Sequence, residues 1–144
     1  MDGKTVIEAF HYYSIWLRLL DDMEEHTWTM PIGPDKWSCR EIISHITNWD
    51  KHLLTKVLPS IEQGEGMFFP DFDPFNEAAA EYARSGISKI ELLHEGKETR
   101  NQLIKALKEM PAEQLCHSVP SNGETHCPHT GTPYSLLYII QEFT

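Results

Sequence analysis

Apolar residues recur along the chain at the three- and four-residue spacing of α-helices, and no stretch alternates with the period of two that marks a strand. Val6, Phe10, Tyr13, Leu17 and Leu20 define a first amphipathic helix over residues 4–25, with Ile7, Trp16 and Leu19 widening its apolar side. His11 and His26 fall off that stripe and read as surface residues. Pro31, Gly33 and Pro34 forbid a continuing helix. Ile42, Ile46, Trp49 and Leu53 place a second stripe on a helix over residues 38–62, kinked or ended by Pro59 and closed by Gly64 and Gly66.

A third helical region over residues 76–110 draws its apolar contacts from Ile87, Ile90, Leu93, Leu103, Ile104 and Leu107, with a break or kink at Ser85 and Gly86. Its middle, residues 94–101, is polar on nearly every side and weakened by Gly96. That stretch reads as a solvated face in which Glu91 and Glu95 pair with Lys97 and Arg100. The alternative is that Arg100 or His94 turns inward to a polar cavity. Pro111 ends the region, and residues 111–115 form one short turn. Thr132 and Pro133 supply an N-cap and a first-position proline for a last helix, which Leu136, Leu137, Ile139, Ile140 and Phe143 make apolar over a wide arc.

The start of the second helix is the sharpest local signal. Ser38 is a good N-cap, Glu41 completes a capping box, and Trp37 is placed to staple onto Ile42. His45 stands three residues after Ile42 and four before Trp49, on the apolar stripe or at its edge, with His52 on nearly the same azimuth. A titratable ring on a core-facing stripe has two readings. It is hydrogen-bonded to a neighbouring helix, the commoner case, or it is a metal ligand whose partners come from facing helices.

Between the second and third helices runs MFFPDFDPF, residues 67–75, an aromatic loop punctuated by Pro70 and Pro74. Packing against one end of the helices is favoured over lining a pocket mouth, since exposed aromatic patches need special reasons. Four helical regions joined by long loops predict an all-α four-helix bundle, one domain over residues 1–144. The last helix carries no C-cap signal and spans only about 18 Å at the helical rise. The expectation is that it runs on past Thr144 in the natural protein.

Composition narrows the partners. Hydrophobic residues at 40% and charged residues at 24% are an ordinary globular balance. A formal charge of −10 repels a phosphate backbone and no basic stripe offsets it, so nucleic acid is not an expected partner. No apolar run approaches the ~20 residues of a membrane helix, and MDGKTVIEAF has no signal-peptide core. Three cysteines without paired spacing fit a reducing compartment, and the expected location is cytoplasmic.

Glycine-rich phosphate loops, nucleophile elbows and His-Glu-x-x-His motifs are all missing from the sequence. Cys116, His117, His126, Cys127 and His129 crowd one loop, yet without Cys-x-x-Cys spacing they read as a flexible loop rather than a structural zinc clip. In the bundle core His45 has only Glu142 as an inward-reaching carboxylate partner from the last helix, so a metal site built on it looks incomplete.

The stretch WSCREIISHITNWD, residues 37–50, resembles the second-helix signature of the DinB/YfiT-like superfamily: Trp-Ser, then Glu-Ile, then a histidine with an apolar neighbour, then an aromatic–acidic pair. The lead-in over 31–36 and the Gly131, Thr132, Pro133 start of the last helix are also similar. The resemblance implies an up-down-down-up four-helix bundle holding a divalent metal, zinc or nickel, on three histidines. His45 matches the one from the second helix. The other two belong to a histidine-rich motif that would begin just after Phe143 and Thr144. Relatives of this kind include bacillithiol transferases and mycothiol-dependent maleylpyruvate isomerases. The implied function is therefore a thiol S-transferase or a hydrolase acting on a small-molecule substrate, in which the metal activates water or a low-molecular-weight thiol. The rival expectation is a non-catalytic bundle serving as a dimerisation or small-molecule binding module, with His45 merely hydrogen-bonded. Self-association into a homodimer is expected of either; a membrane partner is not.

Overall fold

The computed structural model describes residues 3–142, so Phe143 and Thr144 lie outside the described residues. The chain forms an all-helical bundle of α1 (Gly3–Trp16), α2 (Glu25–Thr29), α3 (Cys39–His52), α4 (Leu58–Glu62), α5 (Phe72–Ala83), α6 (Lys89–Glu109), α7 (Ala112–Cys116) and α8 (Leu136–Glu142). Among the described residues only isolated β-bridges occur, and no strand. The long α6 packs against both α1 and α3, α5 packs on α3, and α8 lies on α1 and α7.

The first helix is shorter than its apolar stripe predicts. After Trp16 it tightens into a 3-10 turn, Leu17–Leu20. That geometry eclipses side chains three apart, so Leu17 and Leu20 are both buried while Leu19 is turned out to 73% exposure. The chain then turns, and α2 inserts Trp28, one of the largest fully buried side chains. His26 is exposed as expected, whereas His11 is half-buried.

The second helix runs as expected to Glu62, and Pro59 does not end it. A proline lacks the N–H of its helical bond and crowds the carbonyl four residues back. One π-helical turn over Leu53–Val57, with Leu58 N–H bonded to the Leu53 carbonyl, provides the room. The buried face of this helix only partly follows the apolar stripe. Trp49 and Leu53 are buried as expected, but Ile42 and Ile46 are only half-buried, and Ile43, Ser44, Thr47 and Asp50 face inward beside them.

The third region divides where glycine predicted it, with Gly86 at φ 103° and Ser88 capping α6 by accepting the Glu91 N–H at 3.1 Å. However, α5 begins at Phe72 rather than residue 76. Pro74 falls at its third position, where the N–H would have no intrahelical partner in any case. The last helix begins later than expected, at Leu136, capped by Ser135 Oγ accepting the Tyr138 N–H at 3.1 Å. Residues 132–134 stay extended because their backbone is already engaged: the Thr132 carbonyl accepts from Cys127 N–H at 2.8 Å, and Tyr134 N–H donates to Thr125 at 3.0 Å.

Apolar side chains gather in two clusters, one around Phe10, Leu53, Leu103 and Leu107, the other around Leu17, Trp28, Ile43 and Leu93. Between them α1, α3 and α6 contribute a buried polar layer of Ser14, Thr47, Asp50, Thr99 and Arg100. The polar middle of α6 is therefore not a solvated face: Gly96, Thr99 and Arg100 are buried, so Arg100 turns inward as the alternative reading had it, while His94, Glu98 and Asn101 are exposed. Arg100 Nε and Nη2 donate to the two Asp50 oxygens at 2.7 and 3.0 Å, and Nη1 donates to the Phe10 carbonyl at 2.6 Å. Its guanidinium carbon stands 3.7 Å from the Phe10 ring centroid and 4.3 Å from that of Tyr13. Two further charges of α6 pair outside their own helix: Glu95 with Lys51, and Lys97 with Asp21 at 3.5 Å. Gly96 lets α6 approach α3, since a Cβ there would lie 3.1 Å from Thr47 Oγ1.

Two stability measurements check this layer. Replacing Arg100→Met leaves the Asp50 carboxylate buried and unpaired, and urea unfolding is expected to show a loss of about 3–5 kcal/mol, recovered in large part by adding Asp50→Leu. Gly96→Leu overpacks the α3–α6 contact and is expected to cost about 1–3 kcal/mol in the same assay. A Gly96→Leu protein as stable as the parent would contradict the close approach.

Candidate functional site

Where α3, α5 and α6 meet at the level of the polar layer, the surface opens into a cavity of about 360 Å³. Asp50 and Arg100 line it, together with His45, Trp49, Phe72 and Asn76, and Glu142 of α8 lies at its edge. The cap of α3 sets its geometry. Ser38 N–H and Ser38 Oγ both donate to Glu41 Oε1, at 3.2 and 2.8 Å, and Glu41 Oε2 accepts from Arg84 Nη1 at 2.7 Å. One turn further on, the helix delivers His45 to the cavity. Trp37, placed to staple onto Ile42, has its ring against His45, with centroids 5.3 Å apart.

Trp49 is the hub of the aromatic wall. Its ring lies 4.2 Å from Phe75 and meets Phe72 edge-on at 5.5 Å. Its Nε1 donates to Asn76 Oδ1 at 2.8 Å, and the same oxygen is 3.0 Å from His45 Nδ1. Burial pushes the His45 imidazole below its usual pKa against the pull of the Asn76 bond, which favours the uncharged ring. Burial likewise raises the Asp50 carboxyl, opposed by Arg100, and raises the Tyr13 phenol beside them. The Tyr13 hydroxyl has no hydrogen-bond partner among the described residues.

The aromatic segment does not simply pack. Phe69 and Phe75 are half-buried, but Phe68 and Phe72 are 61% and 65% exposed, and Phe72 lines the cavity. Trp49 faces the cavity as its place on the helix predicts, whereas His52 is directed elsewhere, with Nε2 donating to the Phe68 carbonyl at 2.7 Å.

The cysteine–histidine loop gathers no metal site. Among the described residues no group of three or more His, Cys, Asp or Glu is placed to hold an ion. Cys116 and His117 are exposed, His126 Nδ1 lies 2.9 Å from Thr125 Oγ1, and Cys127 is buried. Hydrogen bonds from the Tyr138 hydroxyl, the His129 backbone and Thr130 lower the Cys127 thiol to about 6. The loop is also tied down. Met67 N–H donates to the Pro120 carbonyl at 2.8 Å, Asn122 N–H to the Met67 carbonyl at 2.9 Å, and Asn122 Oδ1 accepts the Phe69 N–H at 2.7 Å.

For a metal in the cavity the donor chemistry fits in part. His45 is half-buried and at the wall, and its burial favours the uncharged ring that a ligand must be. Asp50 is committed to Arg100, and Glu142 is an exposed carboxylate at the rim. The described residues thus offer one imidazole ligand and not a complete set. Arg100, Asp50 and Asn76 are the cavity residues that the apolar pattern does not reveal. Asp50, seven residues after Ile43, shares its face of α3 and was the available hint; Asn76 carries no such signal.

No curated protein and no solved structure proved similar to this chain. A family model described as the DinB superfamily matches residues 13–140, which includes the whole of α3, α5 and α6 and all the cavity residues but Glu142. The chain belongs to the DinB superfamily.

Proposed function

We propose that this protein is a metal-dependent enzyme, a thiol S-transferase or a hydrolase, in which His45 is one ligand of a divalent zinc or nickel ion. The observation that carries the reading is a half-buried histidine on the wall of a cavity, inside a chain of the DinB superfamily. Among the described residues His45 is the imidazole on the cavity wall, and Glu142 is the carboxylate at its rim. A bound divalent ion supplies a Lewis acid that lowers the pKa of a coordinated water or thiol.

The chain's own residues supply the rest of the site. Trp49 and Phe72 present an aromatic wall to the apolar part of a small-molecule substrate. The Asp50–Arg100 pair gives the cavity a polar wall whose charges are already matched. A low-molecular-weight thiol is the proposed co-substrate of the transferase form. The second reading, a non-catalytic small-molecule binding module, is favoured by one feature: Asn76 already satisfies a ring nitrogen of His45.

Metal content by mass spectrometry separates the two, measured on the protein and on its His45→Ala variant. The expected result is about one equivalent of zinc or nickel per chain, lost in the variant. A metal-free wild-type protein sinks the enzyme reading in favour of the binding module. Metal retained without His45 moves the site away from this cavity.

A further inference from the structure

One oxygen atom settles that the inner ring nitrogen of the histidine must carry a hydrogen. An indole nitrogen can donate a hydrogen bond but has no lone pair to accept one. The Asn76 atom 2.8 Å from Trp49 Nε1 is therefore the amide oxygen. Turning the amide over would set an NH2 against an indole N–H, two donors face to face, so this orientation follows from chemistry rather than from the placement of similar atoms. The same oxygen lies 3.0 Å from His45 Nδ1. An amide oxygen only accepts, so Nδ1 carries the hydrogen. In a neutral imidazole the lone pair is then on Nε2.

We propose that Asn76 is a positioning residue which, oriented by Trp49, fixes His45 in the Nδ1–H tautomer and leaves Nε2 as the electron-pair donor of the cavity wall. The parts are mutually braced. Trp49 is clasped by Phe72 and Phe75, which flank Asn76 on the first turns of α5, so the indole N–H and the amide are held by elements that pack together. Ser44 Oγ, next to His45 on α3, donates to the Ala79 carbonyl at 2.7 Å, one turn along α5 from Asn76, and ties the two helices together there. Ligating histidines characteristically donate their second ring N–H to such an acceptor, which fixes ring orientation and raises ligand basicity. The tautomer assignment stands without a metal; its use in holding one rests on the ligand reading above.

The test uses histidine labelled with nitrogen-15 in the metal-free, full-length protein, the His45 signals being identified by their loss in His45→Ala. Proton–nitrogen correlation spectra distinguish the ring nitrogen that carries hydrogen from the one that carries the lone pair. Wild-type protein is expected in the Nδ1–H form. Asn76→Leu should shift His45 towards Nε2–H, and Asn76→Asp, which keeps an acceptor at the same place, should restore Nδ1–H. Zinc competition against a chelating dye then reads the consequence: a 10- to 100-fold weaker affinity in Asn76→Leu and no such loss in Asn76→Asp. A wild-type ring in the Nε2–H form overturns the proposal, as does a folded Asn76→Leu protein with unchanged tautomer or unchanged zinc affinity. If Asn76→Leu fails to fold, the wild-type spectrum and the Asn76→Asp pair still decide the tautomer. A wild-type protein in the Nδ1–H form that binds no zinc supports the tautomer assignment and overturns only the ligand reading.

Discussion

The Asp50–Arg100 pair ties three helices at one level of the bundle. Asp50 belongs to α3, Arg100 to α6, and the carbonyl that takes the remaining guanidinium bond is Phe10 of α1. Neither charge could be buried alone, because desolvating an unpaired ion costs several kcal/mol even after the protein relaxes. Their burial is tolerable only while all three helices hold their relative heights, so a slip of one turn between any two would strand a charge. The aromatic faces of Phe10 and Tyr13 complete the shell around the guanidinium. A core made only of leucines would fill the same space without selecting one register so sharply.

This layer also explains why a cavity opens where it does. The two apolar clusters are each closed by side chains that interdigitate, whereas the layer between them is lined by short polar groups and by a glycine. Asp50 and Arg100 are buried, yet they also form part of the cavity wall, and His45 and Trp49 reach the same space from the outer side of α3. The pair is thus both the lock of the bundle and a wall of its candidate site.

How much of this the sequence discloses depends on what kind of signal each residue emits. Breaks written in glycine and proline are readable: Gly86 divides α5 from α6, and Ser38 with Glu41 opens α3. Misreadings arise where a local rule is overruled by a partner distant in the chain. Pro74 reads as a breaker but sits harmlessly in a first turn, and Thr132 reads as a cap but is claimed by Cys127. The polar run around Arg100 reads as solvent-facing because periodicity counts apolar residues, and a buried face made of Ser, Thr, Asp, Arg and Gly is invisible to such a count. The His45 position was readable because its neighbours on α3 mark a face; Asn76 was not, since its role depends on an indole 27 residues earlier.

The charge balance of the cavity bears on what it favours. The chain carries a formal charge of −10, so the surrounding field is negative. Inside, Asp50 and Arg100 cancel, burial favours the uncharged His45 ring, and Glu142 adds a carboxylate at the rim. No free positive group remains among the described cavity residues to receive an anion. A cation entering this space meets a favourable field, an imidazole and a carboxylate, while an anion meets repulsion at every stage of its approach. The same electrostatics make the cavity more hospitable to cations than to anions, and its aromatic wall of Trp49 and Phe72 suits uncharged, apolar groups.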